Sequence, residues 1–142
     1  MGRFLAIDLG SRRVGVAVSD GLGLTAQPLA TLERRGGQKD LDAIGLLVRK
    51  HEIEGFVVGL PLNPDPRAGE AAEGKAARGA RAFAARLAQA FALPVHLVDE
   101  SFSTVEAESV LLEADLSRAR RKQVVDRVAA AVILQRWLDD RR

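Results

Sequence analysis

The chain has 142 residues, 47% hydrophobic and 28% charged, which is enough for one core of ordinary size and short of two. It contains no Cys, so disulfides and thiolate zinc sites are excluded, and oxygen ligands or His are left for any metal. Lys and Arg number 21 against 19 Asp and Glu, a net charge of only +2, so any grip on a polyanion must come from where the charges lie.

Residues 4 to 9, 14 to 19 and 27 to 32 read as three short strands of an antiparallel meander. The turn "GSRR" joins the first two, and Gln27-Pro28 opens the third. Inside the first strand, among Phe4, Leu5, Ile7 and Leu9, stands Asp8; a carboxylate at or near the interior is costly without a partner. Leu41, Ile44 and Val48 then mark a helix, and "GFVVGL" from 55 to 60 is a buried strand closed by Pro61. "NPDPRAG" is the one Pro/Gly-rich loop. A long helix follows with the apolar stripe Ala72, Ala76, Ala80, Phe83, Leu87 and Phe91. "LPVHLV" from 93 to 98 is the fifth strand and runs into Asp99-Glu100. Ser103 and Glu106 form a capping box that opens a helix to about Ala114. The basic, turn-like "DLSRARRKQ" leads to a last helix from about Val124 to Leu138. No stretch approaches the roughly 20 apolar residues that span a bilayer, and the N-terminus lacks a signal pattern, so a cytoplasmic location and no membrane partner are expected.

A meander followed by β-α-β-α units predicts an α/β fold, a mixed sheet with helices on its faces, because each parallel crossover carries a helix over the sheet. In such sheets the reactive crevice lies beyond the carboxyl ends of the parallel strands. Three acidic positions can converge there: Asp8, the pair Asp99-Glu100, and Asp126, which shares a helical face with Ala130, Ile133 and Trp137. Clustered carboxylates repel one another unless a cation sits among them, and Mg²⁺ or Mn²⁺ suits an all-oxygen set that also takes waters and phosphate oxygens. Which of Asp99 and Glu100 faces the crevice is open, since neighbours at a strand end point oppositely. An ion pair with Lys122 is the plainer role for Asp126, and turn chemistry before Gly21 is the role expected of Asp20. His51 and His96 read as a helix-end residue and a strand residue, not ligands.

Arg118, Arg120, Arg121 and Lys122 form the densest basic cluster, and Arg12 and Arg13 occupy the first hairpin turn. Both are expected to border the acidic crevice, as a grip on a phosphate backbone requires. With no Tyr, one Trp and five Phe, stacking platforms for bases are scarce, and Phe102 is the one aromatic residue expected near a substrate.

"DLGSRRVGVAVSD" fits the pattern Asp-x-Gly-x-x-Arg-x-Gly-Val-Ala-x-Ser-Asp through Asp8, Gly10, Arg13, Gly15, Val16, Ala17, Ser19 and Asp20; "VVGLPLN", "DESFSTVEAE" and "VDRVAAAVILQRWL" follow in order. With these four motifs the chain resembles the YqgF family of Holliday junction resolvase-like, pre-16S ribosomal RNA nucleases. The resemblance implies one ribonuclease H-like domain over 1–142: a five-stranded mixed sheet, three meander strands plus two parallel ones, with helices on both faces. It implies metal-binding, catalytic acids at Asp8, Glu100 and Asp126, two Mg²⁺ or Mn²⁺ ions, and hydrolysis of phosphodiesters in structured RNA. Branched DNA is the second candidate substrate, and a homodimer is an allowed assembly. A non-catalytic nucleic-acid-binding factor is the rival reading. Two departures stand out: Ser101 replaces the Arg usual after Asp-Glu, and the loop after Asn63 is longer, with Pro66 where Gly is common.

Overall fold

The computed structural model describes residues 2–61, 74–99 and 118–141, and in the last stretch the side chains from 124 onward. The elements are β1 (Arg3–Leu9), β2 (Arg13–Ser19), β3 (Ala26–Glu33), α1 (Gly37–His51), β4 (Ile53–Leu60), α2 (Lys75–Phe91), β5 (Val95–Asp99) and α3 (Arg118–Asp140). The five strands form one sheet in the order β3-β2-β1-β4-β5. β1, β2 and β3 pair antiparallel, while β4 lies parallel to β1 and β5 parallel to β4. This is the expected mixed sheet.

Strands covered on both faces read as continuous apolar runs, and β1 and β4 are such strands. Leu5, Ile7, Val14, Val16, Phe56 and Val58 turn to one face, where they are buried with Leu41 and Ile44 of α1 and Ala80, Phe83 and Leu87 of α2. Phe4, Ala6, Ala17 and Val57 turn to the other, where Ala130, Ile133, Leu134 and Leu138 of α3 cover them. Helices therefore occupy both faces, with β1 and β4 in the middle.

The structure corrects several boundaries. The basic stretch expected as a turn is helical from Arg118, because Arg, Lys, Gln and Ala are strong helix formers and no Gly or Pro interrupts them. β4 begins two residues earlier than expected, at Ile53, and β5 is shifted to Val95–Asp99. In α2 the stripe holds at Ala80, Phe83 and Leu87, but its first turn buries Ala77 and exposes Ala76. The helix expected from Ser103 and the "NPDPRAG" loop lie outside the described residues.

Candidate active site

Asp8 sits one residue from the end of β1, and side-chain alternation sets its direction. Leu5, Ile7 and Leu9 pack toward α1 and α2, so Asp8 joins Phe4 and Ala6 on the α3 face. Directly across the antiparallel ladder from Asp8 is Gly15. A Cβ built at Gly15 would overlap the carbonyl of Asp126 and come within 2.9 Å of the Arg127 amide nitrogen. Only a residue without a side chain lets α3 lie this close to β2. Gly15 is thus both the cross-strand neighbour of Asp8 and the seat of Asp126. Residues from opposite ends of the sequence, Asp8 and the main chain of Asp126, flank one glycine of the sheet.

The Asp126 carboxylate has a cationic partner in Arg13, and the expected pairing with the Lys122 side chain lies outside the described residues. The Arg13 Nε–H donates to Asp126 Oδ2 at 2.8 Å, with the Asp126 side chain 24% and the Arg13 side chain 41% exposed. Arg13 opens β2 on the α3 face, two residues before Gly15, so the strand that seats the helix also supplies the counter-charge. The turn between β1 and β2 is fixed by the Gly10 amide, which donates to the Arg13 carbonyl at 2.8 Å. Arg34, just past β3, fastens the same turn twice: its amide donates to the Arg12 carbonyl at 2.8 Å, and its Nη1 donates to the Gly10 carbonyl at 3.1 Å. Behind Arg34 lies buried Asp40, whose Oδ1 accepts from the Arg35 amide at 2.8 Å and whose Oδ2 lies 3.8 Å from Arg34 Nε. No sequence pattern singled out Arg34 or Asp40, since the bonds cross between elements. Gly15 did carry a signal, a glycine inside a β-branched run, which marks close approach of another backbone.

The remaining expected site residues fall as follows. Arg12 lies exposed in the hairpin turn. Arg118, Arg120, Arg121 and Lys122 lie in the first turns of α3, upstream of Asp126 on the same helix, and their side chains are outside the described residues. Glu100 and Phe102 lie outside the described residues too. Asp99 ends β5 opposite Leu60, and both follow the alternation of Val95 and Val58 toward the α1 and α2 face, away from Asp8. His51 closes α1, and His96 packs on Trp137 at a ring-centroid distance of 4.9 Å, with Phe4 on Trp137 at 4.7 Å and edge-on to His96 at 6.3 Å. Asp20 is a turn residue whose Oδ1 accepts from the Leu24 amide at 2.7 Å. That bond foremost, with others from Thr25 and Gly23, holds its pKa below the ordinary Asp value against a smaller opposing effect of desolvation.

A sequence model described as "RuvX: Holliday junction resolvase" matches residues 2–140. The chain belongs to the RuvX family. One RuvX relative, from Myxococcus xanthus, is 50% identical over 140 residues, 99% of this chain and 89% of its own length; one from Moorella thermoacetica is 50% identical over 137 residues, 96% and 94%. Both bear the name "Putative pre-16S rRNA nuclease". Among solved structures, Thermus thermophilus RuvC in complex with a Holliday junction substrate aligns over 99% of this chain and 96% of its own, with a TM-score of 0.50 at 18% identity. That likeness shows the fold of this RuvX chain, a RuvC-like, ribonuclease H-like sheet, and nothing of its substrate.

The donor set suits a hard divalent cation. Asp8 and Asp126 offer carboxylate oxygens on one sheet face, next to the carboxyl ends of β1 and β4, with no sulfur or imidazole nearby to favour a softer ion. Among the described residues no third acid or His joins them. The third carboxylate expected there is Glu100.

Proposed function

We propose that this chain is a metal-dependent nuclease that hydrolyses phosphodiester bonds in structured nucleic acid, with the 5′ end of pre-16S ribosomal RNA as substrate. The observation that carries the reading is Gly15, which seats the main chain of α3 at Asp126 across the ladder from Asp8 and so puts two acidic residues on one sheet face, where a non-catalytic binder would gain nothing from acids facing phosphates. The names of the relatives support the RNA substrate. The junction of the RuvC structure makes branched DNA the alternative to be tested.

Asp8, Asp126 and Glu100 would hold two Mg²⁺ or Mn²⁺ ions. Asp99 faces away from Asp8, and the family resemblance assigns the third acid to Glu100. When bound, such ions lower the pKa of an attacking water and stabilise the leaving 3′-oxygen. The chain's own residues place the phosphate. Arg13 is held beside Asp126 by its Nε, and the rest of its planar guanidinium keeps donors for a phosphate oxygen. The turn held by Arg34 fixes where Arg12 leaves the backbone, and Arg118, Arg120, Arg121 and Lys122, in the first turns of α3, would contact further phosphates.

Cleavage of labelled pre-16S RNA fragments and four-way DNA junctions, with Mg²⁺, with Mn²⁺ and with chelator, tests this directly. Asp8→Asn, Glu100→Gln and Asp126→Asn should each lower kcat at least about a thousandfold, a loss of about 4 kcal/mol of transition-state stabilisation. Asp99→Asn should cut like the parent chain. The products should end in 5′-phosphate and 3′-hydroxyl. Cyclic phosphate ends, or full activity in excess chelator, would refute the metal-dependent reading. Tight binding without cleavage under every condition would favour the binding-factor reading.

A further inference from the structure

We propose that the cavity between the β1-β2 turn and the start of α2 is a second binding site on this chain, a pocket for one unpaired nucleotide of the strand being cut. The occupant follows from the nuclease reading; the pocket itself stands on its own geometry. Its volume is about 670 Å³, within the range of small-molecule sites, and three cations line it: Arg34, Lys75 and Arg78. Among the described lining residues there is no acid. Leu9 and Ala76 give the wall an apolar part, while Ser11 adds a hydroxyl. Cations beside an apolar surface suit a phosphate joined to a planar base, and the polar part alone would suit bare phosphate.

The placement of the cations favours an anion. Lys75 and Arg78 stand one turn apart on the same side of α2, in the first turn of the helix, which carries no acidic residue. The positive end of the helix dipole lies at the same turn and adds to the attraction for an anion. Arg34 comes from the far side of the cavity and is already oriented by the Gly10 carbonyl and Asp40, so little order need be imposed when a phosphate binds.

Position ties the pocket to the acids. Leu9 lines the cavity and directly follows Asp8, so one strand separates the two, Asp8 facing α3 and Leu9 facing α2. A nucleic-acid strand crossing the sheet end over the Gly10–Arg13 turn presents one phosphate to Asp8 and Asp126 and a neighbouring nucleotide to the pocket.

The test uses the full chain and three probes: AMP, inorganic phosphate, and a single-stranded RNA oligomer. In NMR titrations AMP should shift the amides of Gly10, Ser11 and Gly79 and bind at least about tenfold more tightly than phosphate, a difference of about 1.4 kcal/mol. The exposed pair Lys75→Ala with Arg78→Ala should abolish both shifts without lowering Tm. The same pair should make the salt dependence of oligomer binding shallower by about 0.7 for each phosphate that the chain no longer neutralises. AMP shifts elsewhere, or an unchanged titration in the double variant, would overturn the pocket. The two readings fail separately. If Asp8→Asn still cleaves while AMP binds as described, the nuclease site is wrong and the pocket stands. If the double variant binds AMP and the oligomer like the parent while Asp8→Asn is inactive, the pocket is wrong and the nuclease stands.

Discussion

At Gly15 the absence of a side chain determines how closely the Asp126 turn of α3 approaches the strand beside Asp8. Gly15→Ala would push α3 off β2, since the atoms in the way are main chain and cannot rotate aside. The variant should lose about 1 to 3 kcal/mol in urea unfolding, the usual range for an extra carbon in a filled interior. Cleavage should fall with it even where the protein stays folded, because Asp126 moves relative to Asp8. A second residue-scale prediction concerns Asp20. Its pKa is lower folded than unfolded, so the stability it contributes is present in full above about pH 4 and is lost as pH falls through the lowered folded-state value. The advantage of the parent over Asp20→Asn in thermal melts should therefore shrink as pH drops below about 4. A constant difference across the acid range would mean that the Leu24 amide bond does not depend on charge.

Helices α1 and α2 end with a non-glycine residue in the left-handed region: Glu52 at φ 53° and Ala92 at φ 53°. Ala92 donates its amide to the Ala88 carbonyl at 3.0 Å, which satisfies the helix end, but its Cβ is strained there. Ala92→Gly should raise stability by about 0.5 to 1 kcal/mol, the relief exceeding the entropy that glycine adds to the unfolded chain. Chemical denaturation checks this, and a loss of stability would show that the turn to β5 needs the methyl group. Strain is tolerable at these ends because both lie opposite the acids, at the edge where α1 and α2 hand the chain to β4 and β5. α3 is of another kind. One helix provides Asp126 at its upstream part and the apolar seam Ala130, Ile133, Leu134 and Leu138 farther on, so the packing that holds the helix also aims the acid.

Across the whole molecule, the sheet brings together groups from both ends of the chain: Asp8 on its first strand and Asp126 on its last helix. If a divalent ion binds between them, it binds the folded chain alone, and the molecule should gain stability with ion concentration, by about 2.7 kcal/mol at a hundred times Kd. Thermal melts in Mn²⁺ should show Tm rising for the parent and far less for Asp8→Asn or Asp126→Asn. Asp126→Asn should meanwhile lower the ion-free Tm modestly, since it weakens the charge-assisted bond to Arg13.

Local physics was enough for the strands and for most of the helix faces. Alternation and 3.6-residue spacing show in the sequence because each element must bury one side, and Asp8 stood out because a carboxylate inside an apolar strand demands a reason. The same local signals misjudged the start of α3, where a dense run of Arg read as a turn though each residue favours helix. What no local pattern contained was partnership across distance. That Arg13 meets Asp126, that Arg34 and Asp40 fasten the β1-β2 turn, and that Asp99 faces away from Asp8 follow from register and from the closeness of α3 to Gly15. These are properties of how the sheet and its helices are stacked, and they exist only once the whole chain has folded.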